Sequence, residues 1–82
     1  MSAEAKVSLD RREYSRARYA VAAIGEFARH AGLPPRQAHR YLASHGAIEF
    51  LTEHYDAEHL LSFDEVVEDL VLVAAQAGGD IQ

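Results

Sequence analysis

Ser62-Phe63-Asp64-Glu65 constrains this chain more than any other stretch. It is a capping box. A serine accepts a bond from the backbone N–H three residues on, and the glutamate there reaches back to the serine N–H. Leu61 and Val66, on either side, have the spacing of a hydrophobic staple. The helix that begins here is predicted to run to about Ala77, because Gly78-Gly79 is a stop signal. Phe63, Val66, Val67, Leu70, Val73, Ala74 and Ala77 share one face at helical period. Asp64, Glu65, Glu68 and Asp69 lie off it, and Leu72 falls among those acids.

Similar punctuation divides the rest. A first helix is expected from an N-cap at Asp10 to about Ala31, stopped by Gly32, after a tail at residues 1–8. Its apolar stripe reads as Tyr14, Ala17, Val21, Ile24, Ala28 and Ala31, flanked by Ala20 and Phe27. Arg11, Arg18 and Arg29 align on another side, with Arg12 and Arg16 as a second basic strip. Pro34-Pro35 breaks the chain and opens a second helix, about Pro35 to His45, since proline fits a first helical turn. Ala38, Tyr41 and Leu42 face its core side, and Gly46 closes it. A short third helix, about Ala47 to His54, turns Ile48, Leu51 and Tyr55 inward and leaves Phe50 beside Glu53 and His54. Asp56 to Leu60 reads as a tight link to the capping box. No alternating strand pattern stands out. The fold class expected is all-α: one compact domain at residues 9–79, a bundle of about four helices with short connections.

At 82 residues, the chain is long enough for one small core. A domain of this size buries only about 60–65% of its unfolded surface, which leaves it modestly stable alone. Without cysteine it can form neither disulfides nor thiolate metal sites. The first dozen residues lack the apolar segment of a signal peptide. No apolar run approaches the roughly 20 residues that span a bilayer. A cytoplasmic, soluble protein is the expectation.

The net charge of −5 conceals a division. Residues 1–40 hold all eight Lys and Arg against four acids, a formal +4; residues 41–82 hold nine acids and no Lys or Arg. Either the halves pack together and neutralise each other, or the molecule is dipolar and its acidic side meets a basic partner. Steering of that kind raises association rate and selectivity.

Few residues suggest chemistry. His54 and His59, with Glu53, Asp56 and Glu58 nearby, supply ligand types for a metal. Their spacing crosses a predicted helix end, unlike the i, i+4 pair that aims two rings at one ion. His30, His45 and His54 each fall at a predicted helix C-terminus, where an imidazole interacts well with the dipole and free carbonyls. The acids are spaced like a helix surface and not like a general acid–base pair, which needs a pocket that separates two pKa values. Ser62 is explained as a cap. Neither a nucleophilic triad nor a phosphate-binding glycine loop is present. The second and third helices could pass for a helix-turn-helix, but the recognition helix would bring Glu49 and Glu53 to the phosphates. Neither catalysis, cofactor nor nucleic acid is therefore expected.

Two apolar side chains off the main stripes remain, Phe50 and Leu72, both flanked by acids. An apolar anchor with a charged rim is how a protein-binding surface reads. The partner-binding set expected is Phe50, Glu53, Asp56, Glu58, Glu65, Glu68, Asp69 and Leu72. Self-association through Leu72 and a small metal-dependent enzyme at His54 and His59 are the alternatives.

The pattern Phe27-Ala28, Ala38-x-x-Tyr41-Leu42, Gly46-Ala47-Ile48-Glu49-Phe50-Leu51, His54-Tyr55, Glu58-His59, Ser62-Phe63-Asp64-Glu65 and Val67-Glu68-Asp69-Leu70 resembles a family of small bacterial proteins catalogued as a domain of unknown function. The similarity covers about residues 14–79. Ala47 stands where the family has a second glycine, and Leu60 where it has a threonine. Genes of the family it resembles often lie beside genes resembling ADP-ribosyltransferase toxins. The resemblance implies an antitoxin or accessory partner of a bacterial toxin, and it carries over no catalytic residue.

Overall fold

The computed structural model describes residues 11–78. Among the described residues five helices follow one another: α1 (Arg11–Ala31), α2 (Pro35–Ser44), α3 (Ala47–Glu53), α4 (Tyr55–Glu58) and α5 (Phe63–Gln76). There is no strand among the described residues. The all-α bundle expected from the punctuation is the fold observed. The Asp10 cap and the tail at residues 1–8 lie outside the described residues.

The stops work as their residue types dictate. Gly32 takes φ +69°, and the Leu33 N–H reaches back to the Ala28 carbonyl at 2.9 Å, which satisfies a carbonyl left open at the end of α1. Pro34 and Pro35 then start α2 with Pro34 extended at ψ 147°. Gly46, at φ +76°, reverses the chain between α2 and α3 in a conformation that costs a side-chain-bearing residue energy.

α1 is the hub, packing against α2, α3 and α5, while α3 also touches α5. The largest fully buried side chains are Phe27, Leu42, Leu51, Leu70 and Val66. Phe27 stacks on Tyr41 with centroids 5.9 Å apart and planes 7° from parallel. Five of the eleven buried apolar residues are alanines (Ala23, Ala28, Ala38, Ala47 and Ala74), so helices approach closely around a small core.

Two expectations are corrected. The buried face of α1 is Ala23, Phe27 and Ala28, with Tyr19, Ile24 and Ala31 packed beside them. Tyr14, Ala17 and Val21 face outward, Val21 with 71% of its surface exposed. The apolar residues of α1 form two stripes, and packing selects the one that includes Phe27. The segment at 56–60 is not a plain link either. α3 ends at Glu53, and after His54 the chain makes one more helical turn, α4, with the His59 N–H donating to the Tyr55 carbonyl at 3.0 Å. That turn continues the inward spacing Leu51, Tyr55, Glu58 and carries a carboxylate into the interior.

Candidate functional site

α5 presents the clearest outward face. The capping box that starts it is complete: Ser62 Oγ accepts from the Glu65 N–H at 3.2 Å, and the Ser62 N–H donates to Glu65 Oε1 at 3.1 Å. With that end fixed, Val66, Val67, Leu70 and Ala74 are buried and Val73 is half-buried. The opposite side carries Asp64, Glu65 and Glu68 toward the N-terminus and Val71, Leu72 and Ala75 toward the C-terminus, all exposed. Leu72 is 57% exposed, an apolar side chain in water next to a block of acid. Val71, at 37%, stands beside it. Sequence reading singled out Leu72 but passed over Val71, which the spacing from Glu68 places on the same face.

The remaining members of the expected partner-binding set do not gather on that face. Glu53 is exposed in a shallow groove between α2 and α3, lined by His39, Ala43, Ile48, Glu49 and Thr52. Glu68, on the α5 face with Asp64, also borders a groove between α5 and α1 lined by Glu26, Arg29, His30 and Val67. Phe50 is half-buried, packs on the core and meets the His54 ring at 4.9 Å, so it belongs to the bundle more than to its surface. Asp56 is exposed on α4.

Glu58 and Asp69 need a correction. Glu58 is only 7% exposed and Asp69 is half-buried, so neither belongs to an open acidic surface. α4 and α5 bring the two carboxyl groups together under Tyr19 of α1. Burial pushes Glu58 up to a pKa of about 7, helped by its hydrogen bond to Asp69 and by the charges of Asp69 and Glu65. Tyr19 is pushed up to about 12, first by burial and then by the negative charge of Glu58. The Tyr19 hydroxyl, Glu58 Oε1 and Arg16 Nε are buried without hydrogen-bond partners. Around them is an aromatic collar. Tyr55 meets Tyr19 edge-on at 5.4 Å, Phe63 stacks on Tyr19 at 6.1 Å, and the Arg16 guanidinium lies over the Tyr55 ring at 5.2 Å. One signal for this cluster was present in the sequence: the inward spacing of α3 runs on through Tyr55 to Glu58.

The histidines do not converge. His45 Nδ1 lies 2.8 Å from the Tyr41 carbonyl, and His59 Nδ1 lies 2.7 Å from the Tyr55 carbonyl. Both cap carbonyls one helical turn back, as imidazoles at helix ends do. His54 ends α3, and His30 lies within the last turn of α1. Among the described residues no group of three or more His, Asp or Glu is placed to hold a metal ion.

A family model described as a protein of unknown function, DUF3791, matches residues 18–74. The chain belongs to this family. The DUF3791 segment contains Tyr19, Glu58 and Asp69 and the α5 face through Leu72, while Arg11 and Tyr14 precede it. No curated protein and no solved structure matches the chain. No helix among the described residues is long and apolar enough to cross a membrane.

Proposed function

We propose that the protein is a non-catalytic binding module whose acidic α5 face docks on a basic surface of another protein, as an antitoxin-like or accessory partner of a bacterial toxin. One observation carries this reading. Among the described residues, Arg29 pairs with Glu26 within α1 at 3.4 Å, and no carboxylate of the C-terminal half forms an ion pair with an arginine. Asp64, Glu65 and Glu68 are exposed, so their charge is directed at solvent, where it acts on a partner. Beside the acids, Leu72 and Val71 supply apolar area of the kind that anchors an interface. The resemblance drawn from the sequence adds the bacterial source and the toxin-like gene neighbour. An acidic helix entering a cleft shaped for an anionic substrate is a direct route to inhibition.

The test is co-expression with the neighbouring gene product, followed by affinity measurements at low and high salt. Asp64→Lys with Glu68→Lys reverses charge at two exposed positions and leaves the Glu58–Asp69 pair intact. The reading predicts a stoichiometric complex that weakens with salt, and a loss of at least about tenfold in affinity for the reversed variant. Equal affinity for the reversed variant, or binding indifferent to salt, would overturn it.

A further inference from the structure

We propose that the α4 turn is a proton-controlled latch: it stays seated against α1 while Glu58 is neutral, and swings open, uncovering Tyr19, when Glu58 loses its proton.

The latch shows in which residue holds the segment down. Among the described residues from Thr52 to Glu65, the one buried side chain is that of Glu58, and Tyr55 is half-buried. The large apolar side chains of the same stretch stay outside: Leu60 is 77% exposed, and Leu61 and Phe63 are 38% exposed. A leucine in place of Glu58 would hold the turn at any pH. The segment instead seats an ionisable group and leaves two leucines in water. Its backbone adds no second hold. The Ala57 and Glu58 N–H groups donate to the His54 carbonyl at 3.1 and 2.8 Å, the His59 N–H to the Tyr55 carbonyl at 3.0 Å, and the Leu61 N–H to the Glu58 carbonyl at 3.0 Å. None of these bonds reaches α1 or α5. What remains is the Tyr55 ring, edge-on to Tyr19 at 5.4 Å and 5.2 Å from the Arg16 guanidinium. Both ends of the segment are hinged. His54, at φ −110° and ψ 25°, separates α4 from α3, and Ser62, extended at ψ 158°, separates it from α5.

The seat suits a neutral carboxyl group and not a charged one. The charged and titratable groups around it are Tyr19 and Arg16 from α1, Asp69 and Glu65 from α5, and Tyr55 and His59 from the segment itself. Glu53 and His54, where α3 ends, are exposed. Among the described residues Glu58 forms no ion pair, since the Arg16 guanidinium lies over Tyr55 instead. Glu58 Oε1 and the Tyr19 hydroxyl are buried without hydrogen-bond partners. An ionised Glu58 would face further acids with no counter-charge, and it would be more stable in water. Burial and the neighbouring acids raise Glu58 to about 7 in the seated state, against an ordinary carboxylate in the open one. The seat is therefore firmest below the ordinary carboxylate range, loosens as pH rises through 7, and changes little beyond.

The latch goes beyond the partner reading and is tested on the purified full chain without any partner. Amide hydrogen exchange, corrected at each pH for the intrinsic rate, reads the opening of α4. Protection of the Glu58, His59 and Leu61 amides should fall on the order of a hundredfold between pH 5 and pH 8. In low urea their exchange should hardly change, as for a local motion. The Leu42 and Leu70 amides should instead show the steep urea dependence of global unfolding. Glu58→Gln and Glu58→Leu, neutral at every pH, should each remove most of the pH dependence at α4. His59→Gln should retain it, which separates Glu58 from a histidine, a residue type that also changes charge near neutrality. Protection at α4 that ignores pH overturns the proposal, as does an undiminished pH dependence in Glu58→Gln or its loss in His59→Gln. So does a urea dependence at α4 equal to that of Leu70, which would assign the proton's effect to the whole fold.

Discussion

Glu58, buried beneath Tyr19, faces the carboxyl group of Asp69 between α4 and α5, and burial with that neighbouring charge raises its pKa to about 7. Two carboxylates in contact cannot both ionise cheaply, and burial makes the neutral form of Glu58 the favoured one. The pair joins the short α4 turn to the longest contact helix of the C-terminal half, and it makes the fold sensitive to protons.

The first prediction follows from the sign of that shift. Glu58 rises from 4.5 to about 7, so the folded state holds its proton more tightly than the unfolded chain does. The stabilisation is fully present below the ordinary carboxylate range and is lost as pH rises through 7. Urea unfolding at pH 5 and pH 8 should show a loss on the order of 2–3 kcal/mol at the higher pH. Glu58→Gln, which keeps the hydrogen-bond donor without the titration, should flatten most of that slope. An unchanged slope in the variant would place the pH dependence elsewhere.

Tyr19 is predicted to gain from losing its hydroxyl. That group is buried and makes no hydrogen bond, yet the ring packs against Tyr55 and Phe63. Removing an unsatisfied polar atom while keeping the ring should be neutral or stabilising by up to about 1 kcal/mol. Thermal melts of Tyr19→Phe read this directly; a clear drop in Tm would mean that the hydroxyl has a partner, such as an ordered water.

Ser62→Ala removes the acceptor for the Glu65 N–H and half of the reciprocal box. The expected cost is about 1 kcal/mol, seen as a lower urea midpoint with an unchanged slope. The α5 face would be kept, so partner affinity should fall far less than stability does.

Leu70 and Leu72 separate core from surface on one helix. Leu70 is fully buried, and Leu70→Ala should cost about 2–5 kcal/mol, enough to unfold much of the population in so small a domain. Leu72→Ala should change stability by no more than about 0.5 kcal/mol. Its effect should appear instead in association, with itself or with a basic partner. A large stability loss at Leu72 would contradict the outward placement.

Local chemistry made the element order readable before any packing was known. Gly32, Pro34-Pro35, Gly46 and the Ser62–Glu65 box each impose a backbone requirement that few other residues meet, and each marks a helix end in the structure. Leu72 was also legible as outward, because its position on α5 is determined by the helical period alone.

Other features depended on which surfaces meet. α1 carries apolar residues on two sides, and nothing in its periodicity says that Phe27 and Ala23 go inward while Tyr14 and Val21 stay in water. That choice belongs to α2, α3 and α5, which supply the partners. The same holds for Glu58: as one acid among many, it suggests a solvated surface. Only the docking of α4 beneath Tyr19 and against Asp69 makes it a buried, proton-holding group. The sequence by itself determined the breaks between α1, α2 and α3 and the start of α5, though not the extra turn α4, because capping and backbone conformation are local. Tertiary structure alone decided which charges face water and which are buried, because burial is a property of neighbours that the chain brings together only when it folds.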